Sequence, residues 1–129
     1  MVLRAVSPLG ILPIILNTKN TYNAQQNFGA AALIDGDTID WNLDTQQVAY
    51  VTLEGNRTLA NPTNLVDGGT YILQILQDAT GSRTLGYGNV YKWPGGIAPI
   101  LSTDANSIDI LTFFSDGISM FGVIQKGFA

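Results

Sequence analysis

The sequence contains no cysteine and no histidine. Without cysteine there are no disulfides, no thiolate metal sites and no cysteine nucleophile, and the redox compartment is left open. Without histidine the chain lacks the usual general base and the commonest transition-metal ligand, so a Ser-His-Asp hydrolase is excluded. Glutamate occurs once, as Glu54, and the aspartates mostly stand beside Gly or Asn in turn-like settings. A glycosidase needs two suitably spaced carboxylates in a cleft, and no acid here stands apart from turn chemistry. The expectation is a protein that is not an enzyme and carries no cofactor and no metal.

Charge is also scarce. Only 12% of residues are charged, against roughly 25% in typical soluble domains. The surface must then be covered by Asn, Gln, Thr, Ser, Gly and backbone, which suits a chain packed against other proteins. The six basic residues, Arg4, Lys19, Arg57, Arg83, Lys92 and Lys126, are scattered through a chain of net charge -4. Binding to nucleic acid or to an anionic membrane by electrostatics is therefore not expected.

What is present divides into two parts. Residues 1–16 (MVLRAVSPLGILPIIL) are apolar with one early Arg, but Pro8, Gly10 and Pro13 interrupt the run and no small-x-small cleavage site follows. The stretch is too short and too broken to span a bilayer as a helix. Two prolines fix φ and withhold donors, so it reads as an extended arm rather than a signal peptide. Residues 17–27 are polar and aperiodic, a linker. The division is an N-terminal arm and linker over 1–28 and one domain over 29–129, with 46% apolar residues to build a core.

From Gly29 onward, short β-type runs alternate with turn residues. Strands are expected over 31–34, 38–42, 47–53, 57–60, 70–77, 83–87, 90–93, 107–114 and 118–126. Asp116-Gly117 between the last two is a strong hairpin signal, and 94–99 (PGGIAP) is a rigid loop. No repeat of fixed period is visible. The expected fold is all-β, an antiparallel β-sandwich of jelly-roll type with an extended N-terminal arm.

Several motifs have plainer readings than functional ones. The run Asp35-Gly36-Asp37-Thr38-Ile39-Asp40 lacks the central Gly and terminal Glu of a calcium loop, and reads as a turn with an edge strand. Asn56-Arg57-Thr58 is a glycosylation sequon, but Asn56 more simply supplies a turn. Gly86-Tyr87-Gly88 has neither the preceding parallel strand nor the following helix of a phosphate cradle. Tyr87, Tyr91 and Trp93 are candidates for an aromatic platform facing a glycan, although alternating aromatics on strands commonly pack in a core.

From about Trp41 to its end the chain resembles a β-sandwich module found repeatedly in tailed-bacteriophage virion proteins. The residues that carry the resemblance are Gly55-Asn56-Arg57-Thr58-Leu59, Asn61-Pro62-Thr63-Asn64-Leu65, Gly68-Gly69-Thr70-Tyr71 and residues 77–85 (QDATGSRTL). Tyr91-Lys92-Trp93-Pro94-Gly95-Gly96, Leu101-Ser102-Thr103, Asp109-Ile110-Leu111-Thr112-Phe113 and Ser115-Asp116-Gly117 continue it. Similar modules stand at the ends of tail-fibre and baseplate proteins and in small head-decoration (cement) proteins. The resemblance therefore implies a virion structural protein and leaves head or tail open.

The arm, which the shared pattern does not include, points to the head. A tail fibre normally carries long shaft regions, whereas this sequence is one domain with a short apolar extension. An extended arm of about 28 residues reaches on the order of 90 Å. Burying Leu9, Ile11, Leu12, Ile14, Ile15 and Leu16 at roughly 1.5–3 kcal/mol each would anchor it in a groove, less the ordering cost. The leading expectation is a decoration protein on the outer surface of the capsid that clamps the major capsid protein. A homotrimer is expected by analogy. The arm could instead be a strand swapped onto a sister subunit. The alternative function is a receptor- or glycan-binding tip of a tail fibre or baseplate, using the loops around Tyr87, Tyr91 and Trp93.

Overall fold

In a computed structural model, which describes residues 19 and 21–129, nine strands are formed among the described residues. They are β1 (Ala31–Ala32), β2 (Thr38–Ile39), β3 (Val48–Leu53), β4 (Arg57–Leu59), β5 (Asp67–Gln77), β6 (Leu85–Tyr87), β7 (Tyr91–Lys92), β8 (Ile108–Asp116) and β9 (Met120–Phe128). A short 3-10 turn, Pro94–Gly96, follows β7. Each strand lies within or across one of the runs expected from the sequence, and the fold is all-β. Leu9, Ile11, Leu12, Ile14, Ile15 and Leu16 lie outside the described residues.

The pairing differs from an antiparallel jelly roll. From β1 to β6 the chain alternates between two sheets, and each strand pairs in parallel with the one two before it. The path is a short β-coil of three turns. Antiparallel pairing enters only when β8 joins β5 and β9 joins β8. The larger sheet runs β1-β3-β5-β8-β9-β7, and β2-β4-β6 form the smaller one. Period-two alternation decides which face of a strand is buried and says nothing about the direction of its neighbour. The coil has no fixed sequence repeat because its turns lengthen, from Ala31 to Ala49 to Leu73 in one sheet and from Thr38 to Thr58 to Gly86 in the other.

Parallel stacking places like residues over like. Ile39 and Leu59 stack on each other inside the coil and Tyr87 continues the row, while Thr38 and Thr58 stack on the outside. At the corners, Asn64 Nδ2 donates to Asn42 Oδ1 at 2.7 Å, and Asn61 Nδ2 donates to Asn89 Oδ1 at 2.8 Å. An amide carries both donor and acceptor, so it can pair with a copy of itself one turn away. Trp41 lies fully buried between the sheets, edge-on to Tyr71 and Phe113, with its Nε1 donating to the Gln46 carbonyl at 2.7 Å.

Two buried polar side chains fasten the long connection between β7 and β8. Gln77 Nε2 donates to the carbonyls of Arg83 and Ser102 while its Oε1 accepts from the Arg83 amide. Asp109, which composition alone would class with the turn acids, points inward with Leu111 and Phe113. It accepts from the Ser102 amide and hydroxyl, both at 2.7 Å, and from the Gly127 amide at 2.9 Å. Removing a carboxylate that satisfies three donors would leave buried N–H groups unpaired, each a cost of about 1–3 kcal/mol.

Aspartates also clip the turns. Arg57 donates from Nε and Nη2 to the two oxygens of Asp35 at 2.9 and 2.8 Å, tying one turn of the coil to the next. Arg83 grips Asp78 in the same way, and Asp116 accepts the Ile118 and Ser119 amides in the β8–β9 hairpin. The guanidinium of Arg57 holds the Asp35 carboxyl below its usual 3.8, as Arg83 does for Asp78 and the hairpin amides do for Asp116. A carboxyl whose value is lowered by folding stabilises the fold fully above 3.8, and loses that contribution as pH falls through the lower, folded value. Urea midpoints are therefore expected to hold steady down to about pH 5 and to fall steeply below about pH 4. Asp35→Asn should lower the midpoint at neutral pH and flatten the acid limb; an unchanged limb would show that the Arg57 clip contributes nothing.

Candidate functional site

The sequence of β6, β7 and the loop after them brings Tyr87, Tyr91 and Trp93 into one cluster. Tyr87 packs edge-on to Trp93 with ring centres 4.7 Å apart, and Tyr91 lies near-parallel to Trp93 at 6.4 Å. Phe113 of β8 closes the cluster against both Tyr91 and Trp93. The three expected site residues are thus together, but they do not form a flat exposed platform. Tyr91 is buried and its hydroxyl donates to the Ala60 carbonyl at 2.8 Å. Tyr87 and Trp93 are half-buried. Burial holds both tyrosine hydroxyls well above their usual range, so they act as neutral groups.

The cluster walls two grooves that share Trp93. The first, about 490 Å³, runs beside the β6–β7 turn, lined by Tyr87, Asn89, Lys92, Trp93, Gly96 and Ala98 among others. Its rim is polar. Asn89 and Lys92 are exposed, and Lys92 Nζ donates to the Asn89 carbonyl at 2.7 Å. Tyr87 Oη, although enclosed, makes no hydrogen bond among the described residues. The second groove, about 530 Å³, lies between the loop carrying Ile97 and Ile100 and the strand β9, where Val123, Ile124 and Lys126 form the other side. It is apolar except for Lys126.

Asn89 and Lys92, with Ile97 and Ile100, are the site residues that the sequence did not single out. The aromatic spacing drew attention to the rings alone. Asn89 in a tight turn reads as turn chemistry, Lys92 as a solvated strand residue, and isoleucines beside Pro and Gly as loop filler. The signal for Ile97 and Ile100 was their size, because large aliphatics in a short glycine- and proline-rich loop must face something.

Gly122 makes the cluster possible. A Cβ there would stand 2.5 Å from the Phe113 ring and 2.6 Å from the Trp93 ring. Both rings lie directly over the backbone of β9, and the absence of a side chain brings Trp93 down between the grooves. Overpacking of this kind costs about 1–3 kcal/mol. Gly122→Val is expected to lower stability in urea by that amount and to shift tryptophan emission to the red as Trp93 is displaced. A variant as stable as the parent, with unchanged emission, would show that the rings do not depend on this contact.

Asp35 and Asn56 both have partners within the fold. Asp35 holds Arg57, and Asn56 Oδ1 accepts the Thr84 amide at 3.0 Å.

Residues 38–120 match the family described as putative phage tail fibre C-terminal domain. The match runs from the first residue of β2 to the first of β9, and so takes in the aromatic cluster and the first groove almost whole. No curated protein and no solved structure matches the chain. The chain belongs to this family of phage tail fibre C-terminal domains and is a module of phage virion proteins.

Proposed function

We propose that the chain is a receptor-contacting tip domain of a tail fibre, and that the groove between the β6–β7 turn and Trp93 takes a saccharide from the host surface. The family match supports the tail better than the capsid exterior, so the glycan-binding alternative replaces capsid decoration as the leading reading. The observation that carries it is the composition of this groove. An aromatic wall from Tyr87 and Trp93 offers an apolar face to a sugar ring, while Asn89 and Lys92 offer polar groups at its rim. Concave sites that are mostly apolar with a few convergent polar groups are the usual form of small-ligand pockets.

The reading requires no chemistry of the chain. Recognition would come from shape and hydrogen bonding, with Lys92 the one cation lining the groove among the described residues and a preference for sugars carrying an acidic group as the consequence. Binding of the full chain to an array of bacterial surface glycans tests it. A defined set of glycans should bind, with affinity reduced at least tenfold by Lys92→Glu and by Trp93→Phe. A blank array, or binding that both substitutions leave unchanged, would contradict the assignment.

A further inference from the structure

The groove between the loop carrying Ile97 and Ile100 and strand β9 has an open sheet edge along one wall. β7 pairs with β9 only at Met120 and Phe121, so past Phe121 this edge of β9 has no partner strand among the described residues. The Met120 amide donates to the Val90 carbonyl, on the β7 side. From Met120 to Gln125 the pairing of β9 with β8 runs without a shift. Backbone groups alternate sides along a strand, so the amide and carbonyl of Ile124 point away from β8 and toward the groove. An unpaired strand edge is a template for a further strand. The lining here, with Trp93, Pro99 and Val123 among others, is apolar except for Lys126, and so fits an extended segment without charge.

We infer that this groove receives residues 11–16 of the same chain (ILPIIL) as an added strand on β9. Three features favour that occupant. The segment carries no charge and bulky aliphatics at every position but Pro13. Pro13 also sets the parity of pairing. Having no amide hydrogen, it must turn its nitrogen away from β9, which directs the amides of Leu12, Ile14 and Leu16 toward it, and edge strands tolerate proline in this way. The segment is about as long as the part of β9 that lines the groove, Gly122 to Lys126. Reach is sufficient as well. The registers run from Ala31 through Ala49, Leu73 and Leu111 to Ile124, so β1 starts level with the groove. The spacings between β1 and β9, at about 4.8 Å each, amount to about 19 Å, whereas residues 17–30 extend over roughly 45 Å. Residues 21–30 are all exposed, so no buried contact in that stretch holds the segment away from β9. This inference is independent of what the groove on the other side of Trp93 binds.

Amide hydrogen exchange of the full chain, followed residue by residue by NMR, tests it. The Ile124 amide should exchange at least tenfold more slowly than an unprotected amide, and equally slowly at about 50 µM and about 1 mM. Leu12→Asp with Ile14→Asp should remove that protection and leave the Leu73 amide of β5 as slow as in the parent. Thr18→Asp with Asn20→Asp, the same added charge outside the segment, should keep Ile124 protected. An Ile124 amide that exchanges at the unprotected rate in the parent would overturn the inference, as would protection that survives Leu12→Asp with Ile14→Asp. Protection that is lost on dilution would overturn it in favour of an arm exchanged between copies.

Discussion

Strand β5 is the constraint on which the molecule depends. It is parallel to β3 on one side and antiparallel to β8 on the other, so it joins the coil to the hairpin. Its inward residues Tyr71, Leu73, Ile75 and Gln77 are all buried. Tyr71 reaches Trp41, and Gln77 holds the connection that leads toward β8. Every element that shapes the grooves is referred to this strand, either through β8 and β9 or through the segment that Gln77 and Asp109 fasten. Displacing β5 would break the longest ladder between the two halves, leaving the short β7–β9 pairing and side-chain contacts to hold the hairpin.

The existence and approximate limits of the strands were legible in the sequence, since apolar alternation between Gly, Asn and Asp turns is a local signal. The pairing was not. Residues such as Ile39 and Leu59 stack because two turns of a coil coincide, and nothing in either segment alone announces the other. A coil is usually betrayed by a repeat, and here the unequal turns conceal it. The site was half legible. The aromatic spacing brought out Tyr87, Tyr91 and Trp93, but whether a ring lies on a surface or in a core depends on Gly122 and Phe113, from a strand far along the chain. The outward apolar face did leave a trace. Residues 70–77 and 107–114 carry large apolar side chains at adjacent positions, Ile72-Leu73 and Ile110-Leu111, and so on both faces of their strands.

These features fit one economy of design. A chain with few charges, and with neither cysteine nor histidine, places many of its polar groups where they hold turns, stack corners or rim one groove. Asp35 and Asp78 bind arginines, Asp116 caps a turn, and the buried acid, Asp109, accepts from three donors. Among the described residues, a groove of mixed character beside Trp93, an apolar groove beside β9 and a broad neutral sheet face are open to other molecules. In the reading proposed above, the first takes the ligand, which suits a domain at the end of a fibre.

The central claim is that the chain works at the tail. Electron microscopy of intact particles labelled with an antibody against this domain addresses it most directly. Label at the distal ends of the tail fibres is the result the account predicts. Label spread over the surface of the head, with none on the tail, would contradict it.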